Sequence, residues 1–217
     1  MFAADGRSHT GDGRWLCDYT QKIHPVSHLN GSFMFAWAGA TTLQTPFGGD
    51  FSFADKTLAF FQDMQDESFA SWSELVNALG ARIQASLLFS VKSRRVYTDN
   101  IPPSEVIAAT EIVGYFKQTP VHAVLMIVHR DGILRDPVIK ELRELDKEHR
   151  REICNLTQEP FFEEAVKECP NSLEEAVETA KKYIHICSER DAKYGGRTHV
   201  AFCTKDGFQW ESAPSKS

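Results

Sequence analysis

The sequence lacks the marks of membrane, secreted and disulfide-stabilised proteins. No apolar run approaches the ~20 residues that a membrane-spanning helix needs. The opening residues Met1–Asp5 contain no basic segment followed by an apolar one, so no secretory signal is predicted. The five cysteines are odd in number and have no spacing typical of a disulfide framework. We therefore predict reduced thiols and a cytoplasmic protein.

The sequence also lacks an excess of positive charge and any recognisable metal motif. Lys and Arg total 24 against 30 Asp and Glu, and the net charge of −6 argues against a nucleic-acid partner. The histidine pairs His24/His28 and His122/His129 have no Cys or carboxylate nearby at ligand spacing. We predict no metal, no cofactor and no membrane partner. The composition is typical of one globular domain, 1–211, with a flexible tail, 212–217.

Turn residues and apolar patterns predict a hairpin near the start of the chain. Lys22–Val26 is typical of a short strand, and Ser32–Trp37 of its return strand. Asn30-Gly31 between them predicts a tight turn with positive φ at both positions. Ala38-Gly39-Ala40 ends the return strand with small residues, which let backbone or a ligand approach closely.

Three segments have helical signals. Asp55 is predicted to cap a helix with Leu58, Phe61 and Met64 on one face. Ser71–Glu74 and Ser172–Glu175 are capping-box patterns that predict two further helices. The predicted buried stripe of the first comprises Trp72, Leu75, Val76, Leu79, Ile83 and Leu87. That of the second comprises Leu173, Ala176, Val177, Ala180, Ile184 and Cys187.

The remaining elements complete a layered pattern. Ser104–Lys117 is interpreted as a short helix, and the mixed charges of Asp136–Arg151 as an exposed helical face. Val121–His129 predicts a strand, with Arg130–Gly132 as its turn. A closing hairpin is predicted from Thr198–Cys203 and Phe208–Trp210. Two groups of strands with helices between them predict antiparallel sheets layered with helices.

An aromatic cluster allows two interpretations. The phenylalanines are either an interface for self-association or the filling between a helix and a sheet. The cluster comprises Phe47, Phe51, Phe53, Phe60 and Phe61.

Three segments together resemble the proteasome β-subunit-like branch of the N-terminal nucleophile (Ntn) hydrolases. Phe2–Ser8 is similar to the family's A-A-D-x-R strand and turn. Lys22-Ile23, followed by the hairpin into Ala38–Ala40, is similar to the family's second segment, a lysine and the hairpin after it. Asp191–Gly196 is similar to its D-x-x-S-G-G turn before the closing hairpin. The resemblance implies a four-layer α-β-β-α sandwich, an α+β fold with two antiparallel sheets between helix layers.

The resemblance also implies a threonine-type endopeptidase site. In such a site the first residue supplies the nucleophile and its own α-amine is the base. By position, Asp5 would hold Lys22, Lys22 would tune the nucleophile, and Asp191 would orient the amine. Gly39 would donate to the oxyanion, and Gly195 and Gly196 would form the turn. Each of these residues also has a purely structural interpretation, as a turn cap, a strand end or a bare glycine turn.

The sequence departs from the family pattern at three places. The family's nucleophile lies on a strand before the aspartate that matches Asp5, and only four residues precede Asp5 here. Met1 has neither hydroxyl nor thiol, so we identify no nucleophile and predict no hydrolysis by residues 1–217. Tyr194 stands in place of the turn's serine. The segment 133–194 has no glycine, so the family's central glycine-serine turn has no counterpart.

Three functions remain compatible with the sequence. The first is a proteasome-like peptidase subunit whose sequence record is truncated at its nucleophile strand, with a peptide substrate. The second is a non-catalytic assembly or regulatory subunit of the same fold. The third is an unrelated acidic α/β binding domain. For the first two we expect like or related subunits as partners in a homo- or hetero-oligomer, since an uncovered sheet edge invites pairing with another chain.

Overall fold

The computed structural model describes residues 1–9, 14–18, 20–44, 50–92, 105–130, 133–145 and 161–212. The first seven strands are β1 (Phe2–Ala4), β2 (Ser8–His9), β3 (Trp15–Cys17), β4 (Ile23–His28), β5 (Gly31–Gly39), β6 (Thr42–Gln44) and β7 (Asp50–Ser52). The other six are β8 (Val106–Phe116), β9 (Thr119–Arg130), β10 (Ile133–Leu134), β11 (Val138–Glu144), β12 (His199–Thr204) and β13 (Gly207–Ser212). The helices are α1 (Phe53–Asp63), α2 (Trp72–Lys92), α3 (Phe162–Ala165) and α4 (Leu173–Arg190).

The strands form antiparallel sheets, which confirms the predicted α+β class. The larger sheet has the order β10-β9-β8-β5-β4, and β11 pairs with β9 on the same edge as β10. A three-stranded sheet has the order β1-β12-β13. Two short ribbons, β2-β3 and β6-β7, stand apart from both. The larger sheet therefore combines hairpins from both halves of the chain, whereas the smaller one joins β1 to the closing hairpin.

The helix predicted over Ser104–Lys117 is wrong. Residue 104 lies outside the described residues, and Val106–Phe116 is the strand β8, between β5 and β9 in the larger sheet. Both faces of β8 are largely covered, since Ile107, Ala108 and Ile112 are buried in one core and Glu111 is buried on the other side. A strand buried on both faces shows no clean alternation, so its apolar pattern resembles that of a buried helix.

The charged segment 136–151 is also not an exposed helical face where the structure describes it. Val138–Glu144 is the edge strand β11, and successive side chains alternate between exposed and half-buried. The charges have nearly helical spacing over the whole segment. Within the seven residues of β11 they also fit the two-residue period of a strand. Residues 146–151 lie outside the described residues.

The first hairpin forms where predicted, but its turn is displaced by one residue. His28 pairs with Gly31, so Leu29 and Asn30 form the turn, and neither has positive φ. Gly31 has φ +152° as the first residue of β5, and a Cβ there would overlap the carbonyl oxygen of Tyr115 on β8. The glycine is thus required by close packing of β5 against β8 and not by the turn itself.

The helix caps follow the sequence patterns with one exception. Ser71 Oγ accepts from Glu74 N at 3.2 Å, and Ser172 Oγ accepts from Glu175 N at 3.1 Å, as the two capping boxes predict. Ser52, not Asp55, caps α1: its Oγ accepts from Asp55 N at 3.1 Å. Asp55 lies in the first turn, where its negative charge is favourable.

The main core lies between the larger sheet and helices α1 and α2. The predicted stripe of α2 is buried in full. The described phenylalanines of the aromatic cluster, Phe51, Phe53, Phe60 and Phe61, belong to this core and are at most 3% exposed. Their interpretation as an interface is therefore wrong, and Phe47 lies outside the described residues. Burial of such rings contributes on the order of 2 kcal/mol each.

Two further predictions concern the C-terminal tail and membrane-spanning segments. Residues 213–217 of the predicted tail lie outside the described residues, and the single-domain boundary stays a prediction. Among the described helices, none is long and apolar enough to cross a membrane.

Candidate functional site

An ion pair joins the end of β1 to the start of β4. Lys22 Nζ lies 2.6 Å from Asp5 Oδ1. The Asp5 side chain is 10% exposed and that of Lys22 is 30% exposed, so the carboxylate faces the interior and the ammonium lies at the rim. Partial burial weakens solvent screening, which makes such a pair stronger than one on the open surface.

The second oxygen of Asp5 holds two backbone groups. Asp5 Oδ2 accepts from Arg7 N and from Gly195 N, each at 3.2 Å. The first bond closes the turn after β1, and the second connects this turn to the loop after α4. Three donors therefore fix the carboxylate on which Lys22 depends.

Arg7 fastens the same loop from the side. Its Nε and Nη2 donate to the two carboxylate oxygens of Asp18 at 2.6 and 3.2 Å. Its Nη1 donates to the carbonyls of Ala192 and Tyr194, both at 3.0 Å. The hydrogen bond to Asp18 raises the pKa of Arg7 above its usual value. A planar guanidinium that meets a carboxylate and two carbonyls fixes geometry in a way a lysine does not.

The glycines of the 191–196 loop permit this contact. Gly195 has φ +139°, and a Cβ there would lie 2.8 Å from Arg7 Cζ. Gly196 has φ +72°, and a Cβ there would lie 2.6 Å from the carbonyl oxygen of Asp18. Both positions therefore need glycine for backbone conformation and for space. Their predicted role as a turn stays a prediction, as does any contribution to an oxyanion site.

Asp191 is placed differently from Asp5 and Lys22. It caps the C-terminus of α4, and its backbone N donates to Cys187 O at 2.9 Å. Its Oδ1 accepts from Lys193 N at 2.9 Å, and its carbonyl accepts from Tyr194 N at 3.0 Å. The carboxylate thus stabilises its own turn, the structural alternative open in the sequence. Orientation of an amine by Asp191 stays a prediction.

Gly39 is the last residue of β5 and lines the same cleft as Asp5 and Lys22. It has φ +87°, and a Cβ there would lie 2.7 Å from the carbonyl oxygen of Ile107. Ala40 N donates to this same oxygen at 2.9 Å. The glycine brings the end of β5 close to β8. Donation by Gly39 to an oxyanion stays a prediction.

A cleft of about 1330 Å³ lies beside the ion pair and is lined by some of these residues. Asp5, Lys22, Gly39 and Tyr194 all line it. The small side chains of Ala36 and Ala38 on β5 leave its floor open. Most of the exposed lining is apolar, which suits a ligand with apolar groups.

Helix α4 forms another side of the cleft, and its predicted buried stripe is only partly correct. Val177 and Cys187 are buried, whereas Leu173 is 56% exposed. The other stripe residues are half-buried, and together with Tyr183 they line the cleft: Ala176, Ala180 and Ile184. The stripe therefore faces a cavity, whereas the sequence pattern predicts that it packs closely against other elements.

A hydroxyl and thiol cluster lies near the ion pair. Thr20 Oγ1 donates to Ser8 Oγ at 2.8 Å, and Cys17 Sγ lies 3.1 Å from Thr20 Oγ1. Ser8 and Thr20 line the cleft. These groups have hydroxyls or a thiol but no free α-amine.

Sequence reasoning missed a buried polar group on the floor of the cleft. His122 Nε2 lies 2.9 Å from Glu111 Oε1, and His122 Nδ1 lies 3.7 Å from Glu141 Oε2. Glu111 is on β8, His122 on β9 and Glu141 on β11. The available signal was a polar residue inside two apolar segments, Glu111 in the first and His122 in the second, but the helical interpretation of Ser104–Lys117 concealed their shared face. Within the described ranges, no cluster of three His, Cys, Asp or Glu side chains could hold a metal ion.

Solved structures similar to this chain include Anbu proteins, one of which is described as an ancestral β-subunit. Anbu from Yersinia bercovieri matches 92% of this chain and 75% of its own, with 14% identity and a TM-score of 0.56. The Gly-1 mutant of Anbu from Hyphomicrobium sp. strain MC1 matches 96% and 78%, with 10% identity and a TM-score of 0.56. A helical assembly of the Anbu complex from Pseudomonas aeruginosa matches 91% and 73%, with 10% identity and a TM-score of 0.53. No family model and no curated protein matches the sequence.

These similarities correct the family suggested by the sequence motifs. Assignment to the proteasome β-subunit-like family is wrong, since the structural neighbours belong to Anbu, which is proteasome-like but distinct. At 10–14% identity the similarity establishes the fold alone. The motifs around Asp5, Lys22 and Gly195 indicated an α+β fold with antiparallel sheets, which the structure has, but they are too short to identify the family.

Proposed function

We propose that this chain is a subunit of an assembly of like or related subunits, and that its cleft binds an extended peptide. The observation that carries the proposal is the Asp5–Lys22 pair at the cleft wall, with Lys22 Nζ 2.6 Å from Asp5 Oδ1. The fold similarity to Anbu, for which a helical assembly is solved from Pseudomonas aeruginosa, supports the assembly. A cytoplasmic location, as the sequence suggests, is part of the same proposal.

The proposed subunit has its helices and sheets in four layers, α-β-β-α. Contacts between the two sheets support this order, because Phe2 and Ala201 of the smaller sheet share a core with Ile23 and Met34 of the larger. Helices α1 and α2 cover the other face of the larger sheet. Helix α4 contacts β1 of the smaller sheet. The cleft lies between these layers.

The proposed chemistry is that of a threonine-type peptide hydrolase, with the residues of the cleft in supporting roles. The charge of Lys22, held by Asp5, would favour the deprotonated form of a nearby nucleophile or amine. Gly39 would donate to the developing oxyanion, and Asp191, on the loop that also carries the cleft residues Lys193 and Tyr194, would orient the amine. A polypeptide that starts at Met1 has no hydroxyl or thiol on the residue with the free amine. We expect this polypeptide to bind peptides without hydrolysing them.

A non-catalytic assembly or regulatory subunit is the second candidate. The observation in its favour is the half-buried stripe of α4 along the cleft, which offers apolar surface to a bound segment. Tyr194 at the turn also places a bulky ring at the cleft wall. In this function Asp5 and Lys22 would shape the cleft and take no part in chemistry.

The test measures binding and turnover of fluorescently labelled extended peptides by residues 1–217. Lys22→Met should weaken binding several-fold, whereas Lys182→Met, at an exposed position on α4, should not change it. If Lys22→Met and the unchanged chain bind the peptide equally, the cleft beside Lys22 is not the binding site. Turnover that persists in the double variant Ser8→Ala/Cys17→Ala would refute the amine-based mechanism.

A further inference from the structure

A buried histidine stands beside the strand that leads into Asp5. His199 is the first residue of β12, is 1% exposed, and pairs with Ala4, the residue before Asp5. Its ring meets Trp210 edge-to-face, with centroids 6.5 Å apart. Among the described residues, neither ring nitrogen has a hydrogen-bond partner. The ring is therefore packed as an apolar group.

The charges around His199 oppose its protonation. Burial is the largest cause that lowers the pKa of His199 below 6.5, and the positive charges of Arg197 and Lys22 lower it further. Asp5 acts in the opposite sense, but its carboxylate already accepts from Lys22, Arg7 and Gly195. A protonated imidazole would add a second N–H donor in a place where the described residues offer no acceptor.

Strand β1 is the element that can respond. It has only three residues, and in the described part of the chain it pairs with β12 alone. Asp5 follows it directly, so movement of β1 away from β12 would also draw Asp5 from Lys22 and Gly195. We propose that His199 is a pH-sensitive switch that controls the attachment of β1, and with it the Asp5–Lys22 pair, to β12.

The direction of the switch follows from proton linkage. Because the pKa of His199 is lowered in the attached state, the detached state binds the proton more tightly. Attachment is therefore fully favoured above pH 6.5, the ordinary value for histidine, and is lost as the pH falls through the lowered pKa. The switch releases β1 in mild acid and does not depend on the proposed peptide chemistry.

The test is amide hydrogen exchange of the full chain, expressed as protection factors, between about pH 7.5 and pH 5.5. The amides of Phe2–Ala4 that pair with β12 should lose protection on acidification, by up to about tenfold per pH unit. His199→Phe keeps a ring of similar size without a titrating nitrogen, and should remove most of this pH dependence. His28→Gln removes another buried titrating ring, at the far end of β4, and should leave the dependence in place.

A second measurement needs no variant. The ring-carbon shifts of His199 and the side-chain carboxyl shift of Asp5 should change at the same pH, below 6.5, in the unchanged chain. A His199 ring that titrates at or above pH 6.5 would overturn the proposal. So would protection of Phe2–Ala4 that falls equally in His199→Phe, or an Asp5 shift that does not follow His199.

Discussion

Gly195 N donates to Asp5 Oδ2 at 3.2 Å, although 190 positions separate the two residues. This bond joins the first turn of the chain to the loop that precedes the closing hairpin. Lys22 and Arg7 reinforce the same junction, the first through the carboxylate and the second through the loop carbonyls. The candidate site is therefore built where the two ends of the fold meet, and its stability can be tested one partner at a time.

Removal of the Asp5 carboxylate should destabilise the chain. Asp5→Ala leaves Gly195 N and the Lys22 ammonium without their acceptor, and we expect a loss of about 1–3 kcal/mol in the free energy of unfolding. Asp206→Ala, at an exposed turn position, should change it by less than ~0.5 kcal/mol. Urea unfolding measures both. Equal values for the two variants would contradict the account of the junction.

Replacement of Arg7 by lysine should not be conservative. Lysine cannot meet Asp18 and both loop carbonyls at once, so Arg7→Lys should clearly lower the free energy of unfolding. Arg190 also makes a two-point contact, with Glu164, but its side chain is 43% exposed. Arg190→Lys should therefore cost less than ~1 kcal/mol. If thermal and urea unfolding rank the two variants in the opposite order, the proposed importance of Arg7 is incorrect.

Alanine substitutions at two glycines distinguish the cost of backbone strain from the cost of steric crowding. Gly195 and Gly207 have similar φ, +139° and +125°, but a Cβ at Gly207 would meet nothing within 4 Å. Gly207→Ala should cost about 1–2 kcal/mol from backbone strain alone. Gly195→Ala should cost clearly more, since its Cβ would press on Arg7 Cζ. The difference in urea midpoint measures the crowding, and no difference would mean that the loop does not pack on Arg7.

Mild acid should loosen the first hairpin turn through His28. His28 Nδ1 accepts from Asn30 N at 3.1 Å, and His28 Nε2 donates to Met64 O at 2.8 Å, so the ring must be neutral. Burial lowers the pKa of His28 below 6.5. The turn is therefore most stable above pH 6.5 and weakens as the pH falls through the lowered value. Faster exchange of the Asn30 amide in acid would show this, whereas an unchanged protection factor would contradict it.

Local signals in the sequence predicted some parts of the structure well. Ser71 and Ser172 identified two helix starts because a capping box involves only neighbouring residues. Apolar periodicity predicted the buried stripe of α2, which packs against the larger sheet. The stripe of α4 was only partly predicted, because periodicity shows which side is apolar but not whether anything fills the space beside it.

Long-range pairing explains what the sequence could not predict. β8 is a strand because β5 and β9 lie on both sides of it, a fact absent from residues 106–116 themselves. Glu111, His122 and Glu141 were missed for the same reason, since their contact depends on the register of three strands. Motif spacing did suggest Asp5 beside Lys22, but it could not show that Asp191 would bond within its own turn.

Light scattering of the purified chain over a range of micromolar concentrations tests the central claim most directly. A subunit of an assembly should have a weight-average mass at a multiple of 24.5 kDa, with the proportion of assembly rising with concentration. A mass of 24.5 kDa at every concentration would contradict the proposal that this chain is a subunit of an assembly.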